Sequence, residues 1–495
     1  MEICLSAVLG ELTTRSINFV LRKLSKPPAL KVEDRLDKVL LRVKVIVDEA
    51  MGRRITNQAM LQQLDMLRDA MHRGYYMIEA YRCQSHNKEK DKDHIVSHSS
   101  QSSKAISAQN FCFSSSGTST QILEEMNGVL DSLSSMVLDA SELILFLESY
   151  PRMYREPYSM HILLRNCMFG RQMETELIIN FLLHSESGST EELEVLPIVG
   201  PGRVGKSTLV AHVCKDERIR NHFSEIFFLH KHDFIDGEHP FSNERCGMKH
   251  QSSLSNSNSE RRLLVVELIG DLDEDTWGRL YSAFKWSVQS SSKIIVTSRS
   301  DKIIKFGTTQ ALTLKYLSQE AYWYFFKTLT FGSLDPKTHP RLTGIAMEIS
   351  RTLNGSLIAA NVTSLVLRGN FDIHFWCKVL AFLRGSYQKH VSRFGDHPID
   401  LMNQNRPARF ERIAARSEDF IVHCEHQRSS QEDVPEIKLH DLVYGSIKPQ
   451  GKFEVLAWKS EIPPYYSYVY ASEIPELKTK AAKRKRCMKN EVVPC

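Results

Sequence analysis

Apolar residues recur every three or four positions through the first part of the chain, a spacing that places them on one face of a helix. Four such stripes run through residues 5–24, 36–47, 60–78 and 122–147. Each stripe leaves the opposite face polar, so each helix has to bury its apolar side against a neighbour. The pattern therefore predicts a four-helix bundle at the N-terminus.

The predicted bundle occupies residues 1–148, with an insert at about 84–120. The insert is rich in Ser, His, Lys and Gln and has almost no apolar periodicity. We therefore expect a loop or a disordered segment there. Pro151 and Pro157 then mark the boundary to the next domain.

The second domain, predicted at 160–335, alternates short apolar runs with helical stripes. This order is typical of a parallel sheet with crossover helices. The predicted strands are 193–199, 226–229, 263–269 and 293–297.

The rest of the chain is predicted to contain a helical subdomain at 336–385, an irregular region at 386–477 and a basic tail at 478–495. The expected fold is thus multidomain, α and α/β.

The composition is that of an ordinary multidomain globular protein, with 495 residues, 42% of them hydrophobic. The net charge of +5 is too small to make nucleic-acid binding the default. The exception is 478–489, which is typical of a nuclear-localisation or nucleic-acid patch, or of a solvated tail. No Cys-x-x-Cys pair and no apolar run of about 20 residues occurs, so we expect reduced thiols, no membrane span, and a place in the cytosol or nucleus.

The sharpest signal is the segment 200–208, Gly-Pro-Gly-Arg-Val-Gly-Lys-Ser-Thr. It lies between a predicted strand and a predicted helix, as the phosphate-binding P-loop motif requires. Gly200, Gly202 and Gly205 lack a Cβ atom, so the main chain can curl and direct successive N–H groups at one phosphate. The alternative is a glycine-rich turn that binds no ligand.

The helix that begins near Lys206 presents its positive end to an anion. Lys206 supplies a charge for the terminal phosphates, and the Ser207 hydroxyl can ligate Mg²⁺. These residues predict a bound nucleotide with Mg²⁺, and the resemblance described below implies ATP or ADP.

Hydrolysis would need an acid at the end of a second strand, and often a neighbouring acid as well. Glu267 follows the strand at 263–266 and is the catalytic and metal-binding candidate, whereas Leu268 cannot polarise water. Slow or absent hydrolysis, with the nucleotide held as a switch, is therefore expected. Arg299 follows the fourth strand and could bind a terminal phosphate, or could be a surface arginine that closes a loop.

These segments, taken in order, resemble the NB-ARC module of plant NLR disease-resistance proteins. Residues 1–148 resemble the Rx-type coiled-coil domain that precedes this module. The segments that carry the resemblance are Phe169-Gly-Arg171, the P-loop, Leu263-Leu-Val-Val-Glu267, Ser292-Lys-Ile-Ile-Val-Thr-Ser-Arg299, Tyr316-Leu-Ser-Gln-Glu-Ala-Tyr-Trp-Tyr-Phe-Phe326 and Asn354-Gly-Ser-Leu-Ile-Ala359.

The resemblance implies roles for individual residues. Phe169 and Gly170 would lie beside the adenine or ribose, and Leu357 stands in the segment whose proline touches the adenine in the family. Glu267 would stand where the Mg²⁺-linked aspartate is, and Arg299 would be the sensor arginine. The residues that would hold the phosphates are Gly200, Gly202, Gly205, Lys206, Ser207 and Thr208.

The chain also departs from the family. Glu267 and Leu268 stand where the family has paired aspartates, and Leu357 replaces the proline. His440-Asp441 is a candidate match to the family's ADP-binding His-Asp motif, with a plain loop as the alternative. We found no leucine-rich repeats, and therefore expect a chain without the array that recognises ligands in the family.

The function implied is an ATP/ADP-dependent switch in plant defence signalling, whose helical domain contacts other proteins or a second copy of the chain. Two alternatives stay open. One is a non-switching adaptor or decoy that acts through residues 1–148. The other is an ATPase of the AAA type, which would need an acid in place of Leu268.

Overall fold

A computed structural model describes residues 29–94, 119–151, 168–184, 193–230, 247–249, 261–288, 292–413, 419–429, 431–445, 447–462 and 465–475. The first predicted stripe, 5–24, and the basic segment 478–489 lie outside the described residues. The described chain forms a helical bundle, a sheet flanked by helices, a helical unit and a small antiparallel sheet. The predicted class, mixed α and α/β, is confirmed.

The bundle is built from the predicted apolar stripes, which supply almost fully buried residues such as Leu36, Leu40, Met126 and Leu133. The second helix continues to His94, into the segment 84–120 that the polar composition predicts as a loop. Its last turns contain Lys88, Glu89, Lys90 and Lys92, and such residues favour a helix without any apolar periodicity. The helices are α1 (Ala29–Met51), α2 (Gln58–His94), α3 (Ser119–Asp139) and α4 (Ser141–Leu147).

The second domain is a six-stranded sheet in the order β3-β2-β4-β5-β1-β6. All neighbouring strands are parallel except β3, which runs antiparallel to β2 at one edge. The strands are β1 (Glu194–Val199), β2 (Glu225–His230), β3 (Gly247–Lys249), β4 (Arg262–Glu267), β5 (Lys293–Ser298) and β6 (Leu312–Thr313). The helices of this domain are α5 (Gln172–Leu183), α6 (Lys206–Cys214), α7 (Glu217–His222) and α8 (Glu274–Ser287).

A helical unit follows the sheet and is wider than the predicted range 336–385. Its core contains the fully buried Trp323, Phe326 and Trp376. Its helices are α9 (Gln319–Phe331), α10 (Pro340–Thr352), α11 (Leu357–Gly369), α12 (Ile373–Phe394) and α13 (Pro398–Asn403). The bundle helix α2 packs against α9 and α10, so the two helical units share an interface.

The region 386–477, expected to be irregular, instead contains a four-stranded antiparallel sheet in the order β7-β8-β10-β9. On β10 both faces are buried, because Val469 packs on one side and Tyr470 on the other. This strand therefore lacks a full alternation of polar and apolar residues, and Ser467, Ser472 and Glu473 also interrupt any continuous apolar run, so neither pattern that marks a strand is complete. The elements are β7 (Ala408–Phe410), β8 (Phe420–Arg428), α14 (Leu439–Val443), β9 (Gly451–Lys459) and β10 (Ser467–Ile474).

None of the helices within the described ranges is both long enough and apolar enough to cross a membrane.

Candidate functional site

The predicted phosphate loop connects the end of β1 with the start of α6. The parallel register places Val199 beside Ser298, at the end of β5, and Glu267 beside Thr297. The carboxyl ends of these strands therefore meet at one edge of the sheet. This edge brings together three parts of the predicted site that are far apart in sequence: residues 200–208, Glu267 and Arg299.

The loop is packed so tightly that two of its glycines cannot carry a side chain. A Cβ atom on Gly200 would lie 2.4 Å from the Leu314 carbonyl oxygen, and one on Gly202 would lie 2.4 Å from the Asn403 carbonyl oxygen. Gly205 has a φ of +97° and forms the N-cap of α6, a conformation that L side chains rarely adopt. The geometry explains why all three positions are glycine.

Lys206 is folded back over the loop. Its Nζ donates hydrogen bonds to the carbonyl oxygens of Gly200 at 2.7 Å and Pro201 at 2.8 Å. Burial, together with the charge of Arg299, lowers the pKa of Lys206 to about 8, while Glu267 acts in the opposite direction. Arg299 and Glu267 are thus both close enough to Lys206 to affect its charge.

Arg299 lies against the loop from the other side. Its guanidinium donates to the Asn403 carbonyl oxygen at 2.7 Å and to the Asn405 side-chain oxygen at 3.2 Å. Tyr316 donates its hydroxyl hydrogen to the Gly202 carbonyl oxygen at 2.8 Å. An open groove of about 600 Å³ lies here, lined among others by Gly202, Arg299, Tyr316 and Asn403.

The C-terminal sheet also contacts the loop. Arg203 Nε donates to Glu425 on β8 at 2.9 Å, and the Thr208 hydroxyl lies 2.9 Å from the Tyr468 hydroxyl on β10. Thr208, a predicted site residue, and Arg203, a loop residue without a predicted role, therefore both contact residues more than 200 positions away in sequence. The loop is enclosed by the sheet domain on one side and by the C-terminal sheet on the other.

The metal side of the predicted site consists of Ser207 and Glu267. Ser207 is half-buried in the first turn of α6, and Glu267 ends β4. Leu268 is 5% exposed and packs in the core of the sheet domain, and its N–H donates to the Thr297 carbonyl oxygen. The position after Glu267 is thus a core position. No cluster of three or more His, Cys, Asp or Glu suited to a metal occurs within the described part of the chain.

The three residues that the resemblance implies near the adenine are Phe169, Gly170 and Leu357, and they contact the helical unit or the residues just before it. Phe169 stacks nearly parallel to Tyr324, with ring centroids 6.2 Å apart. Gly170 has a φ of +68°, and a Cβ there would lie 3.0 Å from the Leu317 side chain. Leu357 begins α11 and packs against the same apolar cluster as Phe169. This cluster is the core of the helical unit, so Phe169 and Leu357 have a packing role whatever they bind.

His440 pairs with its neighbour rather than with the loop in the contacts that the structure shows. Its Nε2 lies 3.3 Å from Asp441 Oδ1, and both side chains are about two-fifths exposed. Both belong to the short helix α14, which packs on α11.

Several curated plant proteins are similar in sequence to this chain, whereas no protein-family model matches it. The disease resistance protein RGA2 of Solanum bulbocastanum is 31% identical over 215 residues, which are 40% of this chain and 22% of RGA2. The putative disease resistance protein RGA1 of the same species is 27% identical over 223 residues, 42% of this chain and 22% of RGA1. The putative disease resistance RPP13-like protein 1 of Arabidopsis thaliana is 26% identical over 251 residues, 48% of this chain and 23% of that protein.

This chain is similar in sequence to plant disease resistance proteins. The match spans less than a quarter of the length of these relatives. The resemblance stated from the motifs is thereby confirmed.

Sequence reasoning gave no site role to five residues that contact the loop or Arg299: Tyr316, Asn403, Asn405, Glu425 and Tyr468. One signal was available, since Tyr466, Tyr468 and Tyr470 recur with period two, as on one face of a strand. The contact of that strand with the loop depends on tertiary packing, which no local pattern shows.

Proposed function

We propose that this chain binds ADP or ATP at residues 200–208 and acts as a nucleotide-dependent switch in plant defence signalling. The observation that carries the proposal is a loop at the end of β1 in which three positions, Gly200, Gly202 and Gly205, disfavour any side chain, with Lys206 and Arg299 beside it. A main chain without Cβ atoms can approach a phosphate closely. The disease resistance proteins that are similar in sequence support the biological setting.

The residues present fit a polyphosphate. The N–H groups of the loop and the start of α6 would hold the phosphates, and Lys206 and Arg299 would balance their charge. Ser207 and Glu267 would hold Mg²⁺ together with water and phosphate oxygens, the usual mixture of ligands for this ion. The bound nucleotide would supply a phosphate chain that carries more negative charge in ATP than in ADP.

We propose that hydrolysis is slow or absent. Leu268 is buried in the sheet domain, so the position that could carry a second acid holds an apolar side chain. A general base has to lie within hydrogen-bond reach of the attacking water. This argument disfavours an ATPase of the AAA type.

In the proposed switch, the N-terminal bundle is the part that would contact other proteins. In the described arrangement one face of α2 is covered by α9 and α10. A partner protein, or a second copy of this chain, could use that face only in an open arrangement that the nucleotide makes more populated. The role would be carried out in the cytosol, or in the nucleus if the segment 478–489 directs entry.

The first test is to purify the full chain and identify any nucleotide that is released on denaturation. The switch predicts bound ADP or ATP. Lys206→Ala should abolish retention, because the cation that balances the phosphates is lost. Lys215→Ala is the matched control, since Lys215 is exposed at the C-cap of the same helix and should leave retention unchanged.

An empty site in the unmodified protein, with no measurable affinity for added ADP or ATP, would contradict the switch and favour the adaptor. Equal retention by Lys206→Ala and the unmodified protein would remove the loop from the proposal. Turnover faster than about one per second, the low end of ordinary enzymes, would favour the ATPase.

A further inference from the structure

A pair of charged residues outside the predicted site, Arg203 and Glu425, belongs to the electrostatics of the loop. Arg203 Nε and Glu425 Oε2 are 2.9 Å apart, and the two side chains are only 17% and 13% exposed. Both also act on Arg299, since Arg203 lowers the pKa of Arg299 while Glu425 raises it, after burial as the main cause. Arg299 in turn acts on Lys206. Two carboxylates, Glu425 beside Arg203 and Glu267 near Lys206, therefore lie close to three cations.

Arg203 retains hydrogen-bonding capacity toward a further anion. Its Nη1 is buried and has no hydrogen-bond partner among the residues that the structure describes. A buried donor left in this way is unfavourable unless a ligand satisfies it. Arg203 also has a φ of +58°, a conformation that is uncommon for a residue with a side chain. Strain and an unpaired buried donor at one residue are typical of a ligand site.

We propose that Glu425 determines whether the site prefers a diphosphate or a triphosphate, because it competes with the last phosphate for Arg203. This inference rests on the proposed function. In P-loop proteins the lysine of the motif reaches the β- and γ-phosphates, so the last phosphate belongs to the charged group around Lys206. A triphosphate adds negative charge to a partly buried group that already contains a carboxylate, and like charges there repel.

A diphosphate places less charge in this group and leaves the pair of Arg203 and Glu425 undisturbed. Glu425 lies on β8, which pairs with β10, and β10 carries the Tyr468 hydroxyl that contacts Thr208. Loss of the Arg203 contact would therefore weaken one of the side-chain attachments of the C-terminal sheet to the loop. A third phosphate that took Arg203 from Glu425 would therefore weaken the attachment of the C-terminal sheet to the loop.

The test uses the full chain and measures the Kd values of ADP and ATP by calorimetry in the presence of Mg²⁺. Glu425→Gln should strengthen ATP relative to ADP by about fivefold or more, because the competing charge is gone. Arg203→Gln should shift the ratio the opposite way, because Glu425 then remains without its cation. Glu454→Gln is the matched control: Glu454 pairs with Arg428 on the same sheet, and its loss should leave the ratio unchanged.

The two variants lie on different elements, so each tests the idea even if the other does not fold, and circular dichroism checks both. An unchanged ratio in a folded Glu425→Gln, or a shift in the same direction for both variants, would overturn the inference while the proposed function stands. A shift as large in Glu454→Gln would also overturn it, since any charge on the sheet would then suffice. Absence of nucleotide binding by the unmodified chain would remove the proposed function and this inference together.

Discussion

Glu79, on α2 of the bundle, accepts a hydrogen bond from Lys327 Nζ on α9 at 2.6 Å, and both side chains are about one-tenth exposed. The second oxygen of the same carboxylate accepts a hydrogen bond from the Trp323 indole at 2.5 Å. The Lys327 ammonium also lies about 5.1 Å from the ring centroids of Tyr75 and Tyr324. The interface between the bundle and the helical unit therefore contains a buried charge pair whose partners are both hydrogen-bonded.

Glu79→Ala should weaken this interface strongly. The substitution leaves the Lys327 ammonium buried without its counter-ion, a change that costs about 3–5 kcal/mol in comparable sites. We expect this loss in the free energy of unfolding measured with urea. Hydrogen exchange should also rise along α2 and α9, because the shared face opens more often.

A double variant identifies the charge as the cause. Glu79→Leu with Lys327→Met removes both charges and should lose less stability than the sum of the single variants. Lys302→Ala is a surface control, since Lys302 and its partner Asp271 are both more than half exposed, and its unfolding curve should stay close to that of the unmodified protein. Strictly additive losses for the two buried residues would show that the pair is not coupled.

His72 should make the protein sensitive to mild acid. Its ring lies 4.7 Å from that of Tyr324 and 5.6 Å from that of Phe169, between the bundle and the helical unit. Burial, with Arg68 and Lys327 nearby, lowers the pKa of His72 from 6.5 to about 3. Between these values the unfolded chain binds a proton and the folded chain does not. Stability is therefore lost as the pH falls below 6.5, by about 2 kcal/mol at pH 5.

The measurement is the free energy of unfolding at pH 7 and at pH 5. His72→Phe keeps an aromatic ring but cannot bind a proton, so it should reduce the loss of stability between the two pH values. His374→Gln is the matched control, because His374 is exposed on α12, and it should keep the full loss. An equal loss in His72→Phe and the unmodified protein would assign the acid sensitivity to other groups.

The sequence predicted those parts of the fold that depend on local patterns. The bundle helices show apolar residues at helical spacing, and β1, β4 and β5 are short continuous apolar runs. Both patterns lie within one segment of the chain, so the sequence alone suffices to recognise them. The loop at 200–208 was recognisable for the same reason, since its glycines and Lys206 form one continuous motif.

The remaining part of the site depends on packing between distant segments. Asn403, Glu425 and Tyr468 reach the loop only because the helical unit and the C-terminal sheet fold back onto the sheet domain. The sheet itself was missed because β10 is buried on both faces and has a β-bulge against each of its two neighbours. Such pairings are determined by tertiary contacts, to which local sequence patterns are insensitive.

Nucleotide affinity should fall as the pH rises above 8. Burial and Arg299 lower the pKa of Lys206 to about 8, so the charge that would balance the phosphates is lost in mildly alkaline solution. If binding requires the protonated lysine, the Kd of ADP should rise about tenfold between pH 7 and pH 9. Lys206→Arg keeps its charge throughout this range, and its Kd, whatever its value at pH 7, should change far less. Parallel pH profiles for the two proteins would contradict this role for Lys206.

Gly202→Ala should weaken the packing of the loop against Asn403, at the end of α13. Gly202 does not have a positive φ, so the obstacle is space: the added Cβ would lie 2.4 Å from the Asn403 carbonyl oxygen and 3.1 Å from the Arg299 guanidinium carbon. A main-chain oxygen cannot move aside cheaply, and overpacking of this kind costs about 1–3 kcal/mol. We expect a lower melting temperature and faster hydrogen exchange in α13. Gly270→Ala is the matched control, because a Cβ there meets nothing within 4 Å; equal effects of the two substitutions would exclude steric contact with Asn403 as the cause.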